Sequence, residues 1–299
     1  MSAGEGLFQG FATHRVSLGE VEIHAVVGGS GPPLLLLHGH PQTHAMWHRV
    51  APRLAERFTV VASDLRGYGD SGKPPGRPDH SNYAKRAMAL DQVELMRHLG
   101  FSRFVVLAHD RGARVAHRMA VDHAERVSRM VLLDIAPTLA MYEKTTMAFA
   151  RAYFHWFFLI QPHPYPETLL NANVEFHMRS VMGGRHAGLS AFAPEAWAEY
   201  VRCARDPAAV HGWCEDYRAA ASIDLEHDRE DREGGRRVSC PLLVLWGRHG
   251  VIERCFSPLD EWRRVAKDVR GKALDCGHYI AEEAPQALLD EALPFLDET

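Results

Sequence analysis

The sequence predicts an α/β fold, a mostly parallel sheet with helices on both faces and one helical insertion after the strand that ends near Asp134. Three observations predict it. Short, mostly apolar runs recur at 34–38, 58–63, 104–109, 130–135, 242–246 and 272–276, each of strand length, as strands covered on both faces are. Helix-length amphipathic segments lie between several of them, at 43–57, 82–100 and 111–127, and that alternation is the signature of parallel strands joined by crossover helices. The alternation then breaks over residues 139–237, which are rich in Trp, Phe, Tyr, His and Met and hold no strand-like run of the earlier kind.

The elements follow in chain order. Residues 14–29 alternate apolar and polar on either side of Gly19-Glu20, which reads as a β-hairpin. The first five apolar runs and their helices then build the sheet, whose active residues belong at the carboxyl ends of the strands. The domain organisation expected is a core formed by residues 1–138 and 238–299, with a helical cap over 139–237. The cap ends in "DLEHDREDREGGRR" (224–237), a mixed-charge run that reads as a solvated helix end or loop. At 299 residues with 46% hydrophobic content, the chain is long enough to bury both a core and an insertion.

Composition excludes several classes. A net charge of −4 and a pI near 6.5 provide no general attraction for nucleic acid or for an anionic membrane. Any anion must therefore be drawn in locally. The five cysteines, Cys203, Cys214, Cys240, Cys255 and Cys276, form an odd set without a C-x-x-C, against both a disulfide framework and a zinc site. The first residues lack a basic and then apolar leader, and no apolar run approaches eighteen residues. The expectation is a soluble cytoplasmic protein with no membrane or nucleic-acid partner, no cofactor and no metal.

The chemistry centres on "FVVLAHDRGARVAHR" (104–118). Asp110 follows a strand, precedes a helix and has Ala108 and Gly112 at the small positions, the pattern of a tight strand-to-helix turn that presents one side chain above a sheet. On its own the pattern reads equally as a helix N-cap. His278 lies in a Gly-His loop directly after the last apolar run, and Asp134 ends the strand after the Asp110 helix. The chain order is thus nucleophile, acid, histidine. The turn "GRHG" (247–250) puts Gly250 where many such enzymes carry the acid, so Asp134 is the candidate to orient His278. A carboxylate in the nucleophile position suits attack on saturated carbon. A serine would be left as an ether, whereas an aspartate forms an ester that water can hydrolyse. Its unperturbed pKa near ~3.9 also leaves it ionised without help from a base.

Beyond these residues the chain resembles the Asp-nucleophile branch of the α/β-hydrolases, which holds haloalkane dehalogenases and epoxide hydrolases, and within it most closely the fluoroacetate dehalogenases. The match is carried by "HGHPQTHAMWHRVAP" (38–52), "DLRGYGDSGKP" (64–74), "AHDRGARVAHR" (108–118), "LDIAPT" (133–138), "HW" (155–156), "CEDYRAAASID" (214–224) and "CGHYIAEEAP" (276–285). The resemblance implies the α/β-hydrolase fold and hydrolysis of a haloacetate, with Asp110, His278 and Asp134 as catalytic residues. It implies a substrate carboxylate held by Arg111 and Arg114, either of which alone reads as a surface arginine. It implies a halide pocket of His155, Trp156 and Tyr217, which on composition alone read as aromatic filling of the cap. The backbone N–H groups of His40 and Arg111 are the expected oxyanion donors. The partners implied are a small anionic haloacid and a second copy of the chain in a homodimer. His40 departs from the aromatic or aliphatic residue usual in the H-G-x-P loop. The competing expectation is an epoxide hydrolase with the same triad, for which Tyr153, Tyr165 and Tyr217 are available; an uncharged epoxide does not require the two arginines.

Overall fold

The computed structural model, which describes residues 6–298, places the continuous apolar runs side by side in the middle of one sheet. Its strands are β1 (Ala12–Ser17), β2 (Glu22–Gly28), β3 (Pro33–Leu37), β4 (Thr59–Ser63), β5 (Phe104–His109), β6 (Val127–Leu133), β7 (Leu242–Gly247) and β8 (Val269–Leu274). Their spatial order is β1-β2-β4-β3-β5-β6-β7-β8. The predicted hairpin forms the antiparallel β1–β2 edge, β2 pairs antiparallel with β4, and all later pairs are parallel. At the centre Leu34 lies opposite Val60 on one side and Val105 on the other. These residues are buried on both faces, which is why the runs lack alternation.

Two local readings are corrected. Residues 43–57 do not form one helix: a 3₁₀ turn at His44–Trp47 is followed by a short helix, α1 (Ala51–Leu54). Pro52 lies in the first turn of α1, the place where a missing N–H costs nothing. The last strand begins three residues before the apolar run at 272–276 and ends before Asp275. Its first part is half exposed at the sheet edge, so its pairing with β7, not its hydrophobicity, defines it.

The other predicted crossover helices are α2 (Lys85–His98) and α3 (Asp110–Asp122). Between β6 and β7 the described residues form eight α-helices and no strand. They are α4 (Thr138–Glu143), α5 (Met147–Ala152), α6 (Phe154–Phe158), α7 (Tyr165–Ala172), α8 (Val174–Gly183), α9 (Pro194–Ala204), α10 (Pro207–Ala220) and α11 (Ile223–Glu233). After β7 come α12 (Val251–Cys255) and α13 (Pro258–Val265), and after β8 come α14 (Ile280–Glu283) and α15 (Pro285–Asp297). No helix among the described residues is long and apolar enough to cross a membrane.

Helices from the inserted stretch are tied by buried polar contacts to the helices that flank the sheet. The mixed-charge run at 224–237 is less solvated than its composition suggests, because α11 turns acids inward. Arg118 of α3 meets Asp228 at 2.8 Å and Asp231 at 2.6 Å, and Asp224 accepts the backbone N–H of Lys85 at 2.8 Å. On another side, Glu282 of α14 accepts from the Tyr200 hydroxyl of α9 at 3.0 Å and from the Gln42 side chain.

Burial dominates Glu282 and lifts its carboxyl from the usual 4.5 to about 8, against the opposing pull of Tyr200, Arg49 and Gln42. In the unfolded chain the same group ionises near 4.5. The stability contributed by neutral Glu282 is therefore complete below that pH and is lost as pH rises to about 8. Thermal melts between these limits are expected to show Tm falling with pH, and Glu282→Gln to flatten the slope. Equal slopes in the two proteins would remove Glu282 as the cause.

Candidate active site

At the end of β5 the chain turns within one residue. Asp110 sits in the left-handed region at φ 44°, a conformation costly for a residue with a side chain and one concentrated at functional sites. The turn is possible because its neighbours are small. A Cβ on Gly112 would run into the carbonyl oxygens of Leu37 and His38, and one on Gly39 would lie 2.6 Å from the Asp110 Cβ. The first turn of α3 thus packs against the end of β3. The Asp110 carboxylate is buried and accepts the His40 backbone N–H at 3.0 Å through Oδ1. Burial acts to raise its pKa, but His278, His109, Arg114 and Arg111 outweigh that and hold it well below the usual carboxylate range. At neutral pH the negative charge in this dry site is therefore favoured by the two nearby guanidiniums and by the His40 N–H it accepts.

His278 and Asp134, 144 residues apart, meet: His278 Nδ1 lies 2.6 Å from Asp134 Oδ2. Asp134 also holds a left-handed turn, φ 50°, and its Oδ1 accepts the Gly247 N–H at 2.9 Å. The His278 loop is pinned from below by His109, whose Nε2 lies 2.9 Å from the His278 carbonyl. Gly250 is a neighbour of this pair, since a Cβ there would fall 3.2 Å from Asp134 Oδ1. The two alternative acid positions therefore converge on one point beside the histidine.

The two arginines have different surroundings. Arg111 is fully buried and forms a two-pronged pair with Asp216 of α10, Nε to Oδ2 and Nη2 to Oδ1, both at 2.8 Å. Tyr68 donates to the same carboxylate at 2.7 Å, and Lys85 pairs with it. Arg111, read alone as a surface arginine, is instead buried with an internal anion. Arg114 is buried too, but its hydrogen-bond partners are all neutral: the Ala136 carbonyl at 3.1 Å, Thr138 Oγ1 at 3.0 Å and Met141 Sδ at 3.2 Å. Burial and the nearby Arg111 charge push the Arg114 pKa down. One nitrogen on each arginine, Arg111 Nη1 and Arg114 Nε, is buried without a partner among the described residues.

The aromatic residues singled out in the cap lie against these arginines. The Arg111 guanidinium is 4.1 Å from the centre of the Tyr217 ring, and that of Arg114 is 4.7 Å from Trp156. Trp156 and His155 lie 6.1 Å and 5.9 Å from Tyr217, ring centre to ring centre. Trp156 Nε1 and the Tyr153 hydroxyl are further buried donors without a partner. The His40 ring joins the same wall, 4.9 Å from Trp213 and 5.3 Å from Tyr217. Burial lowers its pKa to about 3, so it is a neutral aromatic ring at neutral pH. Tyr165, in contrast, is exposed and away from the cluster, 59% accessible. The loop carrying His40 is anchored by Asp64, which accepts the His44 N–H at 2.8 Å and meets the rings of His44 at 3.0 Å and His24 at 2.8 Å.

Asp216 and His109 are the site residues that reading the sequence missed. Asp216 stands beside Tyr217 in a motif already singled out, "CEDYR", and an acid next to a proposed pocket residue was the available signal. Because Asp216 neutralises a buried guanidinium, Asp216→Ala is expected to cost about 3–5 kcal/mol of stability, measured by urea unfolding. A loss below about 1 kcal/mol, the range of exposed pairs, would contradict the pairing.

The profile of the alpha/beta hydrolase fold family matches residues 32–285. The chain is 49% identical over 280 residues to fluoroacetate dehalogenase from Burkholderia sp., covering 93% of this chain and 91% of the relative. It is 34% identical to soluble epoxide hydrolase from Corynebacterium sp. (strain C12), over 94% of this chain and 96% of that one. Among solved structures, epoxide hydrolase CorEH superposes with a TM-score of 0.85 at 33% identity, covering 95% of this chain and 98% of that chain. With its nucleophile-elbow turn occupied by an aspartate and its sequence matching at this level, the chain belongs to the fluoroacetate dehalogenase family, in the Asp-nucleophile branch of the alpha/beta-hydrolase superfamily.

Proposed function

We propose that the chain hydrolyses haloacetates, converting fluoroacetate to glycolate and fluoride. The observation that carries this reading is the set of buried donors without partners, Arg111 Nη1, Arg114 Nε and Trp156 Nε1, beside a carboxylate held ionised at Asp110. Buried donors left unpaired are costly. A small molecule with a carboxylate at one end and a halogen at the other would satisfy them.

In this reading Arg111 and Arg114 hold the substrate carboxylate and aim the adjacent carbon at Asp110. An Asp110 oxygen bonds to that carbon as the carbon–halogen bond breaks, and the electron pair leaves with the halide. His155, Trp156 and Tyr217 receive the halide, whose hydration must be replaced by donors. His278, oriented by Asp134, then takes a proton from water as the water oxygen adds to the ester carbonyl. The oxyanion is met by the His40 and Arg111 backbone N–H groups. Its collapse, with His278 giving its proton to the departing alkoxide oxygen, frees glycolate and restores Asp110. The division of the chain into a core (1–138 and 238–299) and a cap (139–237) belongs to this reading, because the cap supplies the halide donors and Asp216. So do a cytoplasmic location and a homodimer; Tyr165, Leu169 and Phe176 are exposed on α7 and α8 as apolar area that a second copy would cover.

The epoxide reading has one observation in its favour, the unpartnered buried hydroxyl of Tyr153, with its ring centre 6.2 Å from that of His278. Arg114, buried without an anion, favours the haloacid. Two tests separate and probe them. Purified protein is expected to release fluoride from fluoroacetate, and His278→Asn to accumulate one carboxymethyl group on Asp110, seen by mass spectrometry of the peptide. Diol formation from styrene oxide without halide release from haloacetates would replace this reading with the other. Asp134→Asn should lower kcat by on the order of 10²–10⁴, and adding Gly250→Asp should restore about tenfold or more, since a Cβ at 250 lies 3.2 Å from Asp134 Oδ1, beside the same histidine. No restoration would show that the two positions are not equivalent.

A further inference from the structure

A cleft of about 310 Å³ opens beside this site, and both His155 and His278 form part of its wall. Three guanidinium groups line it: Arg151 in α5, Arg185 just after α8, and Arg254 in α12. Arg179 and Arg205 nearby are tied to Glu175 at 2.8 Å and 3.1 Å, but among the described residues none of the three cleft arginines has a carboxylate within ion-pair distance. No Asp or Glu lines the cleft, and Asp275, which meets the lining residue His249, is already engaged by it at 2.8 Å. His249 in turn stacks on His186, ring centres 4.3 Å apart.

Arg185 is the innermost of the three by its contacts. Its guanidinium lies 4.5 Å from the centre of the Tyr153 ring, and Tyr153 is the neighbour of both His278 and His155. Burial opposes the Arg185 charge, yet Tyr153, Tyr279, Asp134 and Asp110 around it raise its pKa overall. A cation is thus maintained where the cleft meets the catalytic residues. The chain as a whole is negative, −4, so an approaching anion is repelled until it comes within roughly a Debye length, ~8 Å, of a local positive group.

We propose that this cleft is an anion-binding vestibule, in which Arg185, with Arg151 and Arg254 toward the rim, captures small monocarboxylates and delivers them to Arg114. The proposal rests on the haloacetate reading and names the route and the residue that would give it selectivity. Arg185 in this role acts on capture and not on carbon–halogen cleavage, so it separates kcat/KM from kcat.

The test compares the full chain with Arg185→Gln, Arg185→Lys and, as an exposed second site, Arg254→Gln, each checked for folding by thermal melt. Initial rates on fluoroacetate and chloroacetate are measured from low to physiological ionic strength. Arg185→Gln should lose roughly tenfold in kcat/KM at low salt and show a flatter salt dependence, with kcat changed by less than about twofold. Arg185→Lys should keep most of the wild-type value because the charge is retained, and Arg254→Gln should show a smaller loss of the same kind. Unchanged kcat/KM and salt slope in Arg185→Gln would overturn the proposal, as would a fall in kcat alone. If the wild type releases no halide, the reaction reading fails on its own, and acetate titration followed by tryptophan fluorescence decides the vestibule. Weaker acetate binding in Arg185→Gln supports it, and equal binding overturns it.

Discussion

The two-pronged pair between Arg111 and Asp216 is the interaction on which the rest of the site depends. It joins the first turn of α3, where Asp110 stands, to α10 of the inserted stretch, and both partners are wholly buried. Such a pair recovers its desolvation cost only when its remaining hydrogen-bonding positions are filled. Here Tyr68 and Lys85 fill those on the carboxylate, while Arg111 Nη1 is left over. The consequence is geometric: the insertion is held over the nucleophile at a fixed place, with one donor turned to whatever occupies the space between.

The charges in that space follow an order. Asp216 takes the Arg111 charge, so Arg114 is the guanidinium without a carboxylate, and its lowered pKa reflects that exposure to a dry and partly positive environment. Asp110 lies near both guanidiniums and stays ionised. An incoming carboxylate would settle Arg114, and a nucleophile already charged needs no base for its attack. His278 is left free for the water step, held by Asp134 in the orientation that keeps Nε2 available. Each partner in the triad sits at the end of a different strand or loop of one rigid sheet, which is why a substitution remote in sequence, such as at Gly250, can reach it.

Much of this was legible because local signals and long-range order agreed. The apolar runs reported the parallel sheet directly, since strands covered on both faces leave no alternation to misread. Asp110 was visible through its small neighbours, whose size the structure explains by the contact of Gly112 with the end of β3. Asp134 and His278 were visible through chain order. What was hidden depends on tertiary contact: Asp216 lies 105 residues from Arg111, and no periodicity tells which acid of a helix faces inward. His109 bonds a carbonyl 169 residues away and reads locally as the last residue of a strand. The break of residues 43–57 into two short turns was in principle readable from Pro52, and the start of β8 was not, because an edge strand is defined by its partner.

The reaction requires Asp110 to attack carbon and to be released by water at its own carbonyl. A single turnover of fluoroacetate in H₂¹⁸O, with enzyme in excess and Asp110 analysed afterwards by peptide mass spectrometry, tests this most directly. ¹⁸O is expected to enter the Asp110 carboxylate while the first glycolate carries the original protein oxygen. Label found in the glycolate and absent from Asp110 would mean that water attacks the substrate itself, and the covalent mechanism would be wrong.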